Sequence, residues 1–126
     1  MTSTPAEQPT PTVAEPTAEP GMVHVPGADE LVLVQPESTV SRTVLKAEGV
    51  RVVVFGFDAS QVLTEHTAAM PVVLQTVRGH LRITADGRTV DLLPGDLLHL
   101  RTREPHAVEA VEPSILSLTM IDARRS

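Results

Sequence analysis

Five histidines, His24, His66, His80, His99 and His106, carry most of the reactive chemistry open to this chain of 126 residues, which contains no cysteine. Without Cys there is no disulfide framework, no thiolate metal site and no Cys nucleophile, so any site must use His, carboxylate, hydroxyl or backbone groups. An imidazole titrates near neutral pH and serves as acid, base or metal ligand. Ser60, Ser114 and Ser117 lack the strand-turn-helix context of an activated serine, and the seven glycines are scattered singly, so neither serine acyl transfer nor a phosphate-cradling loop is expected. Arg101 and Arg103 read as surface charge.

The elements that would hold these histidines are short strands. The first 21 residues contain 5 of the 11 prolines and 5 threonines, with no Lys, Arg or aromatic residue. Such low-complexity sequence buries too little apolar surface to offset chain entropy, so residues 1–21 read as a disordered Thr/Pro/Ala/Glu-rich tail and 22–126 as one domain. About 105 residues suffice for a single compact core. Candidate strands are Leu31–Val34, Val40–Lys46, Val50–Phe57, Val72–Val77, Leu81–Thr84, Thr89–Leu92, Leu97–Leu100, His106–Ala110 and Ile115–Ile121. Asp86-Gly87 between two of them is a strong two-residue hairpin signal, because both central positions of that turn favour positive φ. Many short strands and no sustained helical period imply an all-β sandwich or barrel of the jelly-roll kind.

Charge and hydropathy narrow the partners. The tail contributes −3 (Glu7, Glu15, Glu19) to a formal charge of −6, and the remaining 13 acids and 10 bases give the other −3. A mildly acidic body with only Phe55 and Phe57 as aromatics argues against nucleic acid and anionic membrane as partners. No run approaches 18 apolar residues and the first residues lack the regions of a secretory signal, so a cytoplasmic location is expected.

Two stretches carry more than pattern. One runs from Gly56 through Glu65-His66-Thr67-Ala68 to Gly79, and the other from Gly95-Asp96 through Arg101-Thr102-Arg103-Glu104-Pro105 to His106. Together they resemble the two motifs of the cupin superfamily, and the resemblance implies a small single-domain, RmlC-like jelly-roll β-barrel. His66 matches the first motif's leading His, Gly79 its closing Gly, Gly95-Asp96 the opening of the second motif and His106 its His. Ala68 falls on the second His, Val72 on the Glu, Arg101 on a Pro and Arg103 on a turn Gly. The segment between Gly79 and Gly95 is short, as in small microbial cupins. Ser41-Arg42-Thr43, Val54–Gln61 and Glu65–Ala68 further resemble a subgroup of homodimeric small cupins that mostly lack an assigned activity.

The resemblance implies a metal centre inside the barrel held by three His and one Glu. Here only His66 and His106 remain as metal ligands, an incomplete set. Period two places His66 and Ala68 on the inward face and Glu65 and Thr67 on the other. The expected ligand pocket is His66, Ala68, Met70, Val72, Leu74 and His106, greasy on one side and suited to an apolar or amphipathic small molecule. His80, His99 and Gln75 are expected at the rim or on the opposite face, and His24 on the surface.

The leading expectation is therefore a homodimeric small-molecule binder with no assigned catalytic residue. The alternative is a metal-dependent cupin enzyme, an oxygenase or isomerase on a small organic substrate, using Fe, Mn, Ni or Zn at His66 and His106. A third reading, the sensor half of a regulator, needs a DNA-binding helical domain, and the five residues after Ile121 hold none.

Overall fold

The computed structural model describes residues 20–122, and of Glu65 and His66 the backbone. Residues 1–19 of the expected tail lie outside the described residues. Nine strands follow in order: β1 (Thr39–Ala47), β2 (Val50–Phe57), β3 (Val62–His66), β4 (Val72–Arg78), β5 (Leu81–Ala85), β6 (Arg88–Leu92), β7 (Leu98–Leu100), β8 (His106–Ala110) and β9 (Ser114–Ile121). They form two antiparallel sheets, β1-β2-β9-β4-β7 and β3-β8-β5-β6. This is the all-β jelly roll expected from the strand pattern.

The interior is built by period-two alternation from both sheets. Leu74, Leu81, Leu116 and Phe57 are fully buried, with Ile83 and Val108 at 1% exposure. Phe55 and Phe57, two residues apart on one face of β2, bring their rings to 6.0 Å. Each such side chain contributes about 1.5–3 kcal/mol by leaving water, which lets a chain without Trp or Tyr hold a core. The Asp86-Gly87 hairpin forms as expected: φ is 53° and 75° at the two positions, and Ala85 pairs with Arg88.

Leu31–Val34 is not a strand, contrary to the sequence expectation. The chain makes a turn of 3-10 helix at Ala28–Glu30 and then crosses the outer face of the five-stranded sheet without a ladder. Val32 is buried against Val54 and Ile115, with Val34, Val40 and Val77 around it, whereas Leu31 and Leu33 remain exposed. Alternation thus arises from packing on a sheet, which gives the same sequence period as pairing within one. Gly56 makes the crossing feasible, because a Cβ there would stand 3.0 Å from Val32 Cγ1.

Conversely, β3 carried too weak a sequence signal to be expected. It follows a turn at Ser60 (φ 70°) and is anchored by the Ser60 N–H to the Ala110 carbonyl at 2.8 Å and the Ala110 N–H to the Gln61 carbonyl at 3.0 Å. At the end of β2, the Asp58 carboxylate accepts the Glu37 and Ala59 N–H groups at 2.7 and 2.8 Å. Those two bonds hold it below the usual carboxylate range.

Candidate functional site

Strands β3 and β8 bring His66 and His106 together. Leu63 pairs with Val108, and His66 with His106, so three steps along β3 match two along β8. This bulge sets the register: uninterrupted pairing would put position 65 opposite His106. On its other side His106 pairs with Ala85 of β5.

The His106 ring is buried, 1% exposed, on the same inward parity as Val108 and Ala110. Its Nδ1 lies 3.0 Å from the Glu104 carbonyl, which only accepts, so Nδ1 carries the proton. In the neutral ring Nε2 then holds the lone pair.

The loop that supplies that carbonyl is itself pinned. Arg103 N–H donates to the Ala68 carbonyl at 2.8 Å, Glu104 N–H to the Arg101 carbonyl at 3.1 Å, and Arg101 Nε pairs with Glu104 Oε1 at 3.1 Å. Arg103, at the motif's Gly position, still adopts φ 62°. Left-handed backbone costs a non-Gly residue about 1–3 kcal/mol, while Gly loses roughly 0.5–1 kcal/mol more chain entropy on folding. Arg103→Gly is therefore expected to raise stability by about 0.5–1 kcal/mol, seen as a higher urea midpoint at unchanged slope. A lower midpoint would mean that the Arg103 side chain, not only its backbone, holds the loop. A second turn, Leu93–Asp96, leads into β7. Asp96 N–H donates to the Leu93 carbonyl at 2.9 Å, with Gly95 at φ 97° after Pro94, as a type II turn requires.

The other expected pocket residues divide. Ala68 packs against the main core, and Val72 and Leu74, 1% and 0% exposed, are part of it, paired with Leu100 and Leu98 of β7. Met70 lines a separate cavity of about 330 Å³ beside the β1–β2 hairpin. His99 is exposed opposite Val73, and Gln75 is exposed opposite Ser117, both on the outer face. His80 Nε2 meets Asp91 Oδ1 at 2.8 Å, and Arg82 Nε meets the same oxygen at 3.1 Å. Those two partners, His80 first, hold the Asp91 carboxyl below its ordinary range. His24 is exposed.

Residues 51–124 match the model of the AraC-like ligand-binding domain. The chain belongs to that family. Its fold is the cupin fold. A cupin superfamily protein from Desulfitobacterium hafniense aligns with TM-score 0.69 at 20% identity, covering 81% of this chain and 93% of that one. A protein of unknown function from Streptococcus pyogenes gives 0.68 at 23% identity, over 82% and 90%. An RmlC-like cupin from Desulfovibrio desulfuricans gives 0.66 at 23%, over 72% and 89%. Among curated proteins none matches the sequence.

The donor set of this AraC-like domain does not fit the metal that the cupin motifs imply. Val72 occupies the carboxylate position within the apolar core, and Ala68 offers no donor at the second imidazole position. Two imidazole positions fall one ligand short of a catalytic zinc or a two-His-one-carboxylate iron site. Among the described residues no group of three or more His, Asp or Glu converges.

Sequence reasoning missed two groups of the domain's inner face, Arg51 and Lys46. Period two along Phe57, Phe55 and Val53 carries down to Arg51 and was a usable signal. Lys46 gave none, because its face depends on a bulge in β1 between Thr43 and Leu45.

Proposed function

We propose that the protein is a non-catalytic binder of a small organic molecule, held inside the barrel near His66 and His106. The observation that carries this reading is the buried His106 ring on the inward face, held at Nδ1 by the Glu104 carbonyl and flanked along its strand by Val108 and Ala110. Membership of a ligand-binding family supports it. A ligand with an apolar body and one hydroxyl or N–H donor suits such a site. No helix among the described residues is long and apolar enough to cross a membrane. The reading includes a cytoplasmic homodimer, for which exposed Leu33 and Leu97 offer apolar surface.

The test is thermal unfolding of the purified protein against a panel of small hydroxylated and N–H-bearing organic molecules, with metal analysis alongside. A true ligand at a hundred times its Kd should add about 2.7 kcal/mol, roughly 10–20 °C for a domain of this size. His106→Gln should abolish the shift. Stoichiometric Fe, Mn, Ni or Zn of micromolar affinity, lost in His66→Ala, would replace this reading with the metal-dependent enzyme.

A further inference from the structure

The inner face of the five-stranded sheet ends in a row that an apolar barrel does not need. Lys46 of β1 pairs with Arg51 of β2, Arg51 with Met120 of β9, and Met120 with Val72 of β4. Cross-strand partners share a face, so two cations stand side by side there, an arrangement that destabilises a sheet unless something negative lies between them. The register is not accidental to the charge. Continued without its bulge, β1 would set Leu45 opposite Arg51, and the bulge substitutes Lys46.

Arg51 is partly buried, and its Nε is fully buried with no hydrogen-bond partner among the described residues. Its Nη2 makes a weak contact with the Met120 sulfur at 3.8 Å. A guanidinium is shaped for bidentate pairing with a carboxylate, and the buried Nε leaves one of its donors open for such a pairing. Beside it opens the cavity of about 330 Å³, lined by Lys46, Arg51, Met70 and Met120 together with Glu48 and Asp122. Glu48 and Asp122 are each engaged in interactions of their own.

We propose that this cavity binds a small organic monocarboxylate, its carboxylate held between Arg51 and Lys46 and its apolar body on Met70 and Met120. Flexible thioether side chains suit an apolar ligand of variable shape. The volume sits at the low end for ligand pockets. Taking ~30 Å³ per atom position, it holds about ten non-hydrogen atoms. This site stands on the five-stranded sheet, whereas the His66–His106 pair is on the four-stranded sheet, so the two binding proposals succeed or fail separately.

Octanoate, with ten non-hydrogen atoms, is the probe. The full chain, labelled with 13C at its four methionine methyl groups, is titrated with octanoate, with 1-octanol and with octylamine. Octanoate should shift the Met70 and Met120 signals saturably, leave exposed Met22 still, and bind at least tenfold tighter than either analogue. Arg51→Gln should weaken octanoate binding tenfold or more, and Lys46→Gln about threefold. Octanol or octylamine binding as tightly as octanoate overturns the proposal, as does a well-folded Arg51→Gln with unchanged affinity. So does an octanoate titration that leaves the Met70 and Met120 signals unmoved. Should Arg51→Gln fail to fold, exposed Lys46 and the comparison of the three probes on the parent chain still decide.

Discussion

Gly79→Ala is expected to lower the thermal midpoint by at least about 8 °C, the steepest loss among the glycine-to-alanine changes in the described residues. Gly79 closes the first motif between β4 and β5 with φ 96°, where an L side chain is strained by about 1–2 kcal/mol. Space is the larger problem. A Cβ would overlap Ser114 Oγ and stand 2.6 Å from the Pro113 carbonyl oxygen and 2.7 Å from Ser114 Cβ. These atoms cannot give way cheaply. Ser114 is 1% exposed, and its hydroxyl accepts the His80 N–H at 2.9 Å and lies 2.7 Å from the Glu112 carbonyl. Overpacking of this kind adds about 1–3 kcal/mol. Together the terms reach about 2–5 kcal/mol, and each kcal/mol moves the midpoint by roughly 4–8 °C in a domain of this size. Gly87→Ala is the matched control. Gly87 has φ 75° but open space around its Cβ position, so it should lose the conformational part alone. Equal losses at the two glycines, read by differential scanning calorimetry, would remove the steric argument.

Local chemistry was legible in the sequence, and pairing between distant strands was not. Asp86-Gly87 and Pro94-Gly95 announce turns because their backbone demands are intrinsic to the residues. Gly79, His106 and the Arg103 turn came from motif spacing, and each lies where a jelly roll needs it. The error at Leu31–Val34 has a different origin. Val32 and Val34 alternate with exposed Leu31 and Leu33 because they rest on a sheet, and hydropathy alone does not separate that from membership in one. Two of the bulges, in β1 and β3, are the clearest loss. Each inserts one residue that nothing in the sequence marks, and each decides which side chains meet. In β1 it sets Lys46 opposite Arg51, and in β3 it sets His66 opposite His106. Strict period-two counting reaches the right face only up to the bulge, which is why the site's framework and the face of Arg51 were readable and that of Lys46 was not.

The mismatch between motif and metal makes a second large effect measurable: the pair Ala68→His and Val72→Glu is expected to make the domain's stability depend on a divalent metal. Val72 is 1% exposed and paired with Leu100 and Met120. A carboxyl there leaves water without a partner, which burial punishes by several kcal/mol and partly relieves by protonation. With a chelator present the double variant should therefore unfold more than about 10 °C below the parent. Adding Zn or Mn should reverse most of that loss. Two new donors join the positions of His66 and His106, and an ion that binds only the folded state adds about 4 kcal/mol at a thousand times its Kd. The parent should move by no more than about 2 °C under either condition, since Ala68 and Val72 give an ion nothing to hold. A parent chain that loses stability on chelation would show that donors outside the two motifs complete a metal shell, and the interior of this barrel would then be read as an enzyme's. Rescue of the double variant alone means that the two apolar substitutions suffice to separate a binding barrel from a metal centre on the same backbone.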